Sequence, residues 1–163
     1  MREETLISDK LAALKIASPA GYALGLHVVY TTPTYMFQSY PRAWLDLYAQ
    51  KGFLMTDPIV HWGFENTGSV RWSSLTAQDT QGVLVAAAEH GLNFGVTVAL
   101  ETDAGRSFGG FSRGDREFTE DEMQALYDHV SELHTLTASG EALPESMKEK
   151  LKTMSVNYTH PGA

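Results

Sequence analysis

The sequence predicts an α+β fold built on a mainly antiparallel sheet, and three observations carry that prediction. Two stretches alternate in hydrophobicity with a period of two, Tyr22 to Tyr30 and Phe94 to Glu101. The second is followed by Asp103-Ala104-Gly105, a hairpin loop in which Gly105 can take a positive φ, and then by a returning strand from Arg106 to Ser112. Near the end, Thr119 and Glu122 have the spacing of a capping box, with Phe118 and Met123 as its apolar staple.

The remaining elements follow in order. Residues 3–17 place Ile7, Leu11 and Leu14 on one stripe, which predicts an amphipathic helix ended by Pro19 and Gly21. In the first strand, Tyr22, Leu24, Leu26, Val28 and Tyr30 point one way, and Ala23, Gly25, His27 and Val29 the other. Both faces are apolar, so the strand belongs inside its sheet. Thr34 to Ser39 predicts a second strand. Pro41 reads as the first residue of a helix over 41–51, stopped by Gly52. Asp57 to Phe64 predicts a short helix, Val70 to Trp72 an extended piece, and Ser73 or Ser74 the cap of a brief turn. Residues 78–90 read as a helix closed by Gly91. The Gly109-Gly110 pair implies either a bulge or a backbone that something else approaches closely. The capping box opens a helix running to about Ala138 with Met123, Leu126, Val130 and Leu133 inward. Leu143, Met147, Leu151 and Met154 suggest a last helix before a loose tail.

Composition excludes several function classes. The 163 residues suffice for one domain with a substantial core. There is no cysteine, so disulfides, thiolate metal sites and thiol nucleophiles are excluded. The formal charge of −8, without a basic cluster, argues against nucleic acid binding through these residues. No apolar run is long enough for a membrane span, and no signal-like block follows the N-terminus. A soluble cytoplasmic protein is expected. The six histidines do not pair at metal-ligand spacings, and no nucleophile elbow or phosphate loop is present. Neither a metal, a cofactor nor an enzymatic activity is therefore expected.

One stretch concentrates chemistry. Tyr40, Trp44 and Tyr48 recur every fourth residue, so one helical face carries three large rings with polar tips. Such rings are either core residues or the wall of a pocket whose ligand satisfies their donors. Asp57 precedes Pro58 and suits a helix cap, yet its second oxygen stays free for other work. Trp72 and Ser112 carry little signal alone.

Together these residues resemble a known family. Tyr40-Pro-x-x-Trp44-x-x-x-Tyr48, then Asp57-Pro58, then Trp72, then Gly91-Leu-Asn-Phe-Gly95 and Phe-Gly-Gly-Phe-Ser112 are similar to the autoinducer-binding domain of LuxR-type quorum-sensing regulators. The resemblance covers roughly residues 5–138 and implies an α/β/α sandwich that binds an N-acyl-homoserine lactone between the sheet and one helical layer. Carried over by position, Trp44 would donate to the lactone carbonyl, and Asp57 would accept from the ligand amide. Tyr40 and Ser112 would donate to the acyl carbonyl, and Tyr48 and Trp72 would pack around the lactone ring. Ile59 stands where some relatives have a hydroxyl residue. The resemblance also implies a homodimer, or a heterodimer with a full-length regulator that this chain would silence. It divides the chain into a ligand-sensing domain, residues 1–139, and a short C-terminal helix and tail, residues 140–163, in place of the family's helix-turn-helix domain. A ligand-binding fragment and a natural stand-alone modulator both fit that division.

Overall fold

A sheet that is apolar on both faces needs a layer of helices on each, and this one has them. A computed structural model describes residues 2–138. Helix α1 (Arg2–Ala17) leads into strands β1 (Gly21–Val29) and β2 (Thr32–Gln38). A helical middle follows: α2 (Arg42–Gln50), a 3-10 turn (Phe53–Met55), α3 (Pro58–Glu65), strand β3 (Gly68–Arg71), a second 3-10 turn (Trp72–Gln78) and α4 (Val83–Glu89). The hairpin β4 (Phe94–Thr102) and β5 (Gly105–Arg113) precedes α5 (Glu120–Leu136). The five strands lie in the order β2-β1-β5-β4-β3, all neighbours antiparallel, so the α+β expectation and the sandwich both hold. The helix expected around Leu143–Met154, and the 140–163 segment as a whole, lie outside the described residues.

One side of the sheet is solid. Ile7, Leu11 and Leu14 of α1 and Leu126, Val130 and Leu133 of α5 are fully buried there. They pack against Tyr22, Leu24 and Leu26 of β1, Val96 and Val98 of β4, and Phe111 of β5. Each such side chain removed from water contributes about 1.5–3 kcal/mol, so this layer holds the fold together. The capping box is present as expected: the Thr119 hydroxyl accepts from the Glu122 amide at 3.1 Å, and the Glu122 carboxylate from the Thr119 amide at 2.8 Å.

The other layer is thinner. Trp44, Phe53, Trp72, Val83, Ala87 and Leu92 form its buried cluster.

Several boundaries differ from the sequence reading, each for a local reason. Pro41 is the residue before α2 (φ −56°, ψ 142°), an extended conformation that caps the helix instead of entering it. α4 starts at Val83, five residues later than expected, because Gly82 adopts a left-handed conformation and Asp79 turns back to accept from the Val83 and Leu84 amides at 2.8 and 2.9 Å. Arg71, not Ser73 or Ser74, caps the turn after β3, without a side-chain bond. The glycine pair is not a bulge, since β4 and β5 pair without interruption from Phe94↔Arg113 to Thr102↔Gly105. Instead the bulge lies in β1, between Gly25 and Val28, with His27 at φ 52°. The alternation along β1 therefore ends at Leu26, and Tyr30 stands 93% exposed in the turn.

His27 and His134 form a buried polar knot on the α5 side. The rings stack at 4.3 Å. His27 Nε2 lies 2.9 Å from both the His134 carbonyl and Thr137 Oγ1, and His134 Nδ1 lies 2.7 Å from Ser107 Oγ. His134 Nε2 reaches Thr102 Oγ1 at 2.8 Å. Burial, and secondarily His27, hold the His134 imidazole down at about 4, so it stays neutral at pH 7.

Candidate functional site

The thin layer encloses a cavity of about 430 Å³, within the range of roughly 300–1,000 Å³ typical of small-molecule sites. Its floor is the sheet, where Ala23, Gly25 and Gly110 carry little or no side chain. α2 and α3 roof it with Trp44, Leu45, Tyr48, Ile59, Val60 and Phe64. Val83, Ala87 and Leu92 close one side.

Glycine makes room for the aromatic wall. A Cβ at Gly95 would lie inside the Trp72 indole, so the ring rests directly on the β4 backbone. A Cβ at Gly110 would sit 3.2 Å from both Trp72 Cζ2 and Tyr40 Oη. That is the close approach the glycine pair implies.

The polar groups gather at one end. Asp57 caps α3, its Oδ1 accepting from the Ile59 amide at 2.8 Å. Its Oδ2 accepts from the Tyr48 hydroxyl at 2.7 Å. The cap and the pocket roles thus coexist on the two carboxylate oxygens. Tyr40 donates to the Gly110 carbonyl at 3.2 Å. Trp72 donates its indole N–H to Thr97 Oγ1 at 3.1 Å. Trp44 is 4% exposed, and among the described residues no group accepts from its indole N–H. Its ring packs edge-on against Tyr48 at 5.6 Å and against His90 at 5.6 Å.

Burial sets the charge states. It pushes the Asp57 carboxyl above the ordinary carboxylate range, while the bonds from Tyr48 and Ile59 pull it partly back. Burial and the neighbouring Asp57 push the Tyr40 and Tyr48 phenols upward, so both remain hydroxyl donors. The site holds a desolvated acceptor beside three donors, with a mostly hydrocarbon lining beyond.

Five of the six expected site residues, Tyr40, Trp44, Tyr48, Asp57 and Trp72, line this cavity. Ser112 does not line it: its buried hydroxyl donates to the Gly21 carbonyl at 2.8 Å and ties β5 to β1. Sequence reasoning left the apolar lining unassigned. Met36, Ile59 and Phe108 belong to it, and of these the sequence marks only Ile59, as the residue standing where some relatives of the resembled family have a hydroxyl. Among the described residues no cluster of His, Asp or Glu has the makings of a metal site. No helix of the described residues is long and apolar enough to cross a membrane.

The model of the autoinducer binding domain matches residues 14–139. This chain belongs to the autoinducer-binding domain family. That family is a ligand-sensing module of LuxR-type regulators rather than a family of enzymes. As an autoinducer-binding domain it is 35% identical to the regulatory protein SdiA of Escherichia coli over 74 residues, 45% of this chain and 31% of SdiA. A structure of SdiA in complex with octanoyl-rac-glycerol superposes with a TM-score of 0.60 at 27% identity, covering 88% of this chain and 64% of that one. A solution structure of E. coli SdiA residues 1–171 gives 0.61 at 27% identity, covering 84% and 87%. CepR2 of Burkholderia cenocepacia, a LuxR-family factor, shares the fold at 18% identity and a TM-score of 0.50, covering 85% of this chain and 95% of that one. The chain thus spans less than two thirds of the longer SdiA chains it matches.

Proposed function

We propose that this autoinducer-binding domain senses an N-acyl-homoserine lactone for a quorum-sensing transcriptional regulator. The observation that carries the reading is the pairing of a buried acceptor, Asp57, with the unpartnered indole N–H of Trp44 in one cavity. An acyl-homoserine lactone offers one amide donor and two carbonyl acceptors. In this reading the ligand amide donates to Asp57, and the lactone carbonyl accepts from Trp44. Tyr40 turns from the Gly110 carbonyl to the acyl carbonyl. Tyr48 and Trp72 pack about the lactone ring. Ser112, already donating to Gly21, is assigned to holding the sheet. The acyl chain lies over the small-residue floor, where each buried CH₂ adds up to about 0.8 kcal/mol.

Thermal melting with a panel of lactones tests this. Binding to the native state alone raises stability by about 2.7 kcal/mol at a hundredfold excess over Kd. The expected result is a rise in melting temperature with at least one lactone, weakened by about 1–3 kcal/mol in Trp44→Phe and retained in Ser112→Ala. No shift with any lactone overturns the reading.

The octanoyl glycerol held by SdiA favours a second ligand class, a monoacylglycerol, whose hydroxyls and ester carbonyl suit the same acceptor and donors. It belongs in the same panel. The partner of the domain is a second copy of itself or, in the modulator reading, a full-length LuxR-type regulator. Ile16 and Val85, apolar and largely exposed on opposite helical layers, leave surface for such contacts. Sedimentation of the chain alone and with a regulator checks both.

A further inference from the structure

The acyl chain of the proposed ligand must run along the cavity floor, and the β1 bulge sets a constriction there; this inference rests on the lactone reading. Ala23 and Gly25 face the cavity, while Leu24 and Leu26 face the solid core. Strict alternation would put the His27 imidazole next on the cavity face. Instead, β1 spends one extra residue against β5 between Gly25↔Phe108 and Val28↔Arg106. His27, at φ 52°, turns to the other side, where Ala104, His134 and Thr137 hold it. Val28 takes the cavity face in its place, and its ladder partner Pro33 lines the cavity as well. A methyl placed on Gly25 would lie 3.2 Å from Pro33 Cβ and 3.7 Å from Val28 Cγ2. The two side chains therefore narrow the trough past Gly25, on the way to Thr31 at its far end.

We infer that Val28, turned inward by the bulge and backed by Pro33, is the residue that limits the length of acyl chain this domain accepts. The polar end is anchored where Ala23 pairs with Gly110, the residue whose carbonyl Tyr40 holds. From Ala23 to Gly25 the strand advances ~7 Å. An extended alkyl chain, with bonds near 1.5 Å, advances roughly 1.3 Å per carbon. About five carbons beyond the amide carbonyl cover that span, so a chain laid along β1 meets Val28 once it is longer than hexanoyl.

Calorimetric titration of wild type, Val28→Ala and Val28→Leu with N-hexanoyl-, N-octanoyl- and N-decanoyl-homoserine lactone tests this. Val28→Ala is expected to raise the ratio of decanoyl to hexanoyl affinity about tenfold, the scale of one methylene-sized change in an apolar pocket. Val28→Leu is expected to lower it. Because the ratio is taken within each variant, a general loss of stability cancels. Val29→Ala, at the exposed neighbouring position, keeps the wild-type ratio. Wild-type binding with the same ratio in both Val28 variants overturns this inference alone. Wild-type protein that binds none of the three overturns the lactone reading and this inference with it.

Discussion

At the scale of single residues, Asp57 is where binding and stability pull apart. Its carboxyl is raised in the fold, chiefly by burial. A carboxyl raised on folding lends stability below its unfolded pKa of about 3.9 and loses it as pH rises through the folded value. At neutral pH the desolvated carboxyl is thus a cost that the ligand-free protein bears. Asp57→Asn keeps a carbonyl oxygen for the Ile59 amide, turns its amide N–H toward the Tyr48 oxygen, and removes the titratable carboxyl. The ligand-free melting temperature is expected to rise by about 3–5 °C, roughly 1 kcal/mol, while the lactone-induced shift falls by at least half. Scanning calorimetry with and without lactone reads both numbers. Ser112 shows the converse. Its position in the motif is legible, but the acceptor of its hydroxyl lies across the sheet, 91 residues away, where local pattern carries no information.

Elements were read from the sequence in proportion to how local their causes are. The stripe of Ile7, Leu11 and Leu14 and the capping box at Thr119 depend on neighbours within one or two turns, and both are present as expected. The aromatic face of Tyr40, Trp44 and Tyr48 needed only the helical repeat, and all three line the cavity. The β1 bulge depends on β5 and α5, some 80 and 107 residues away, and alternation within β1 gives no sign of it. The start of α4 differs from the pattern because an apolar repeat does not reveal that Asp79 folds back onto the first amides. Gly95 joins an element to the site: it seats Trp72 on β4. Gly95→Ala is expected to push that indole off the sheet, costing about 1–3 kcal/mol and weakening lactone binding more than Ser112→Ala does. Urea unfolding monitored by tryptophan fluorescence, with calorimetric titration alongside, checks it.

For the whole molecule, acid sensitivity follows from the histidine knot. A base lowered on folding contributes stability above its unfolded pKa, near 6.5, and loses it as pH falls through the folded value, here about 4 for His134. The difference corresponds to roughly 3 kcal/mol at most. Asp57 opposes this as it gains its proton, and Glu122, held near 2 chiefly by Arg116, acts only below the same window. Unfolding free energy by urea is therefore expected to fall between pH 6.5 and 4.5, with much of the fall removed in His134→Asn. A pH-independent wild type would show that the knot accepts protons without strain.

The two sides of the sheet are unequal, one filled by its own side chains and the other built around an empty space floored by Ala23, Gly25 and Gly110. Amide protons of α2 and α3 should accordingly trade with deuterium well before those of α5, and a bound guest should slow the first group while leaving the second alone. On the proposed reading the signal molecule occupies that space, so that arrival of the message and tightening of this layer are one event.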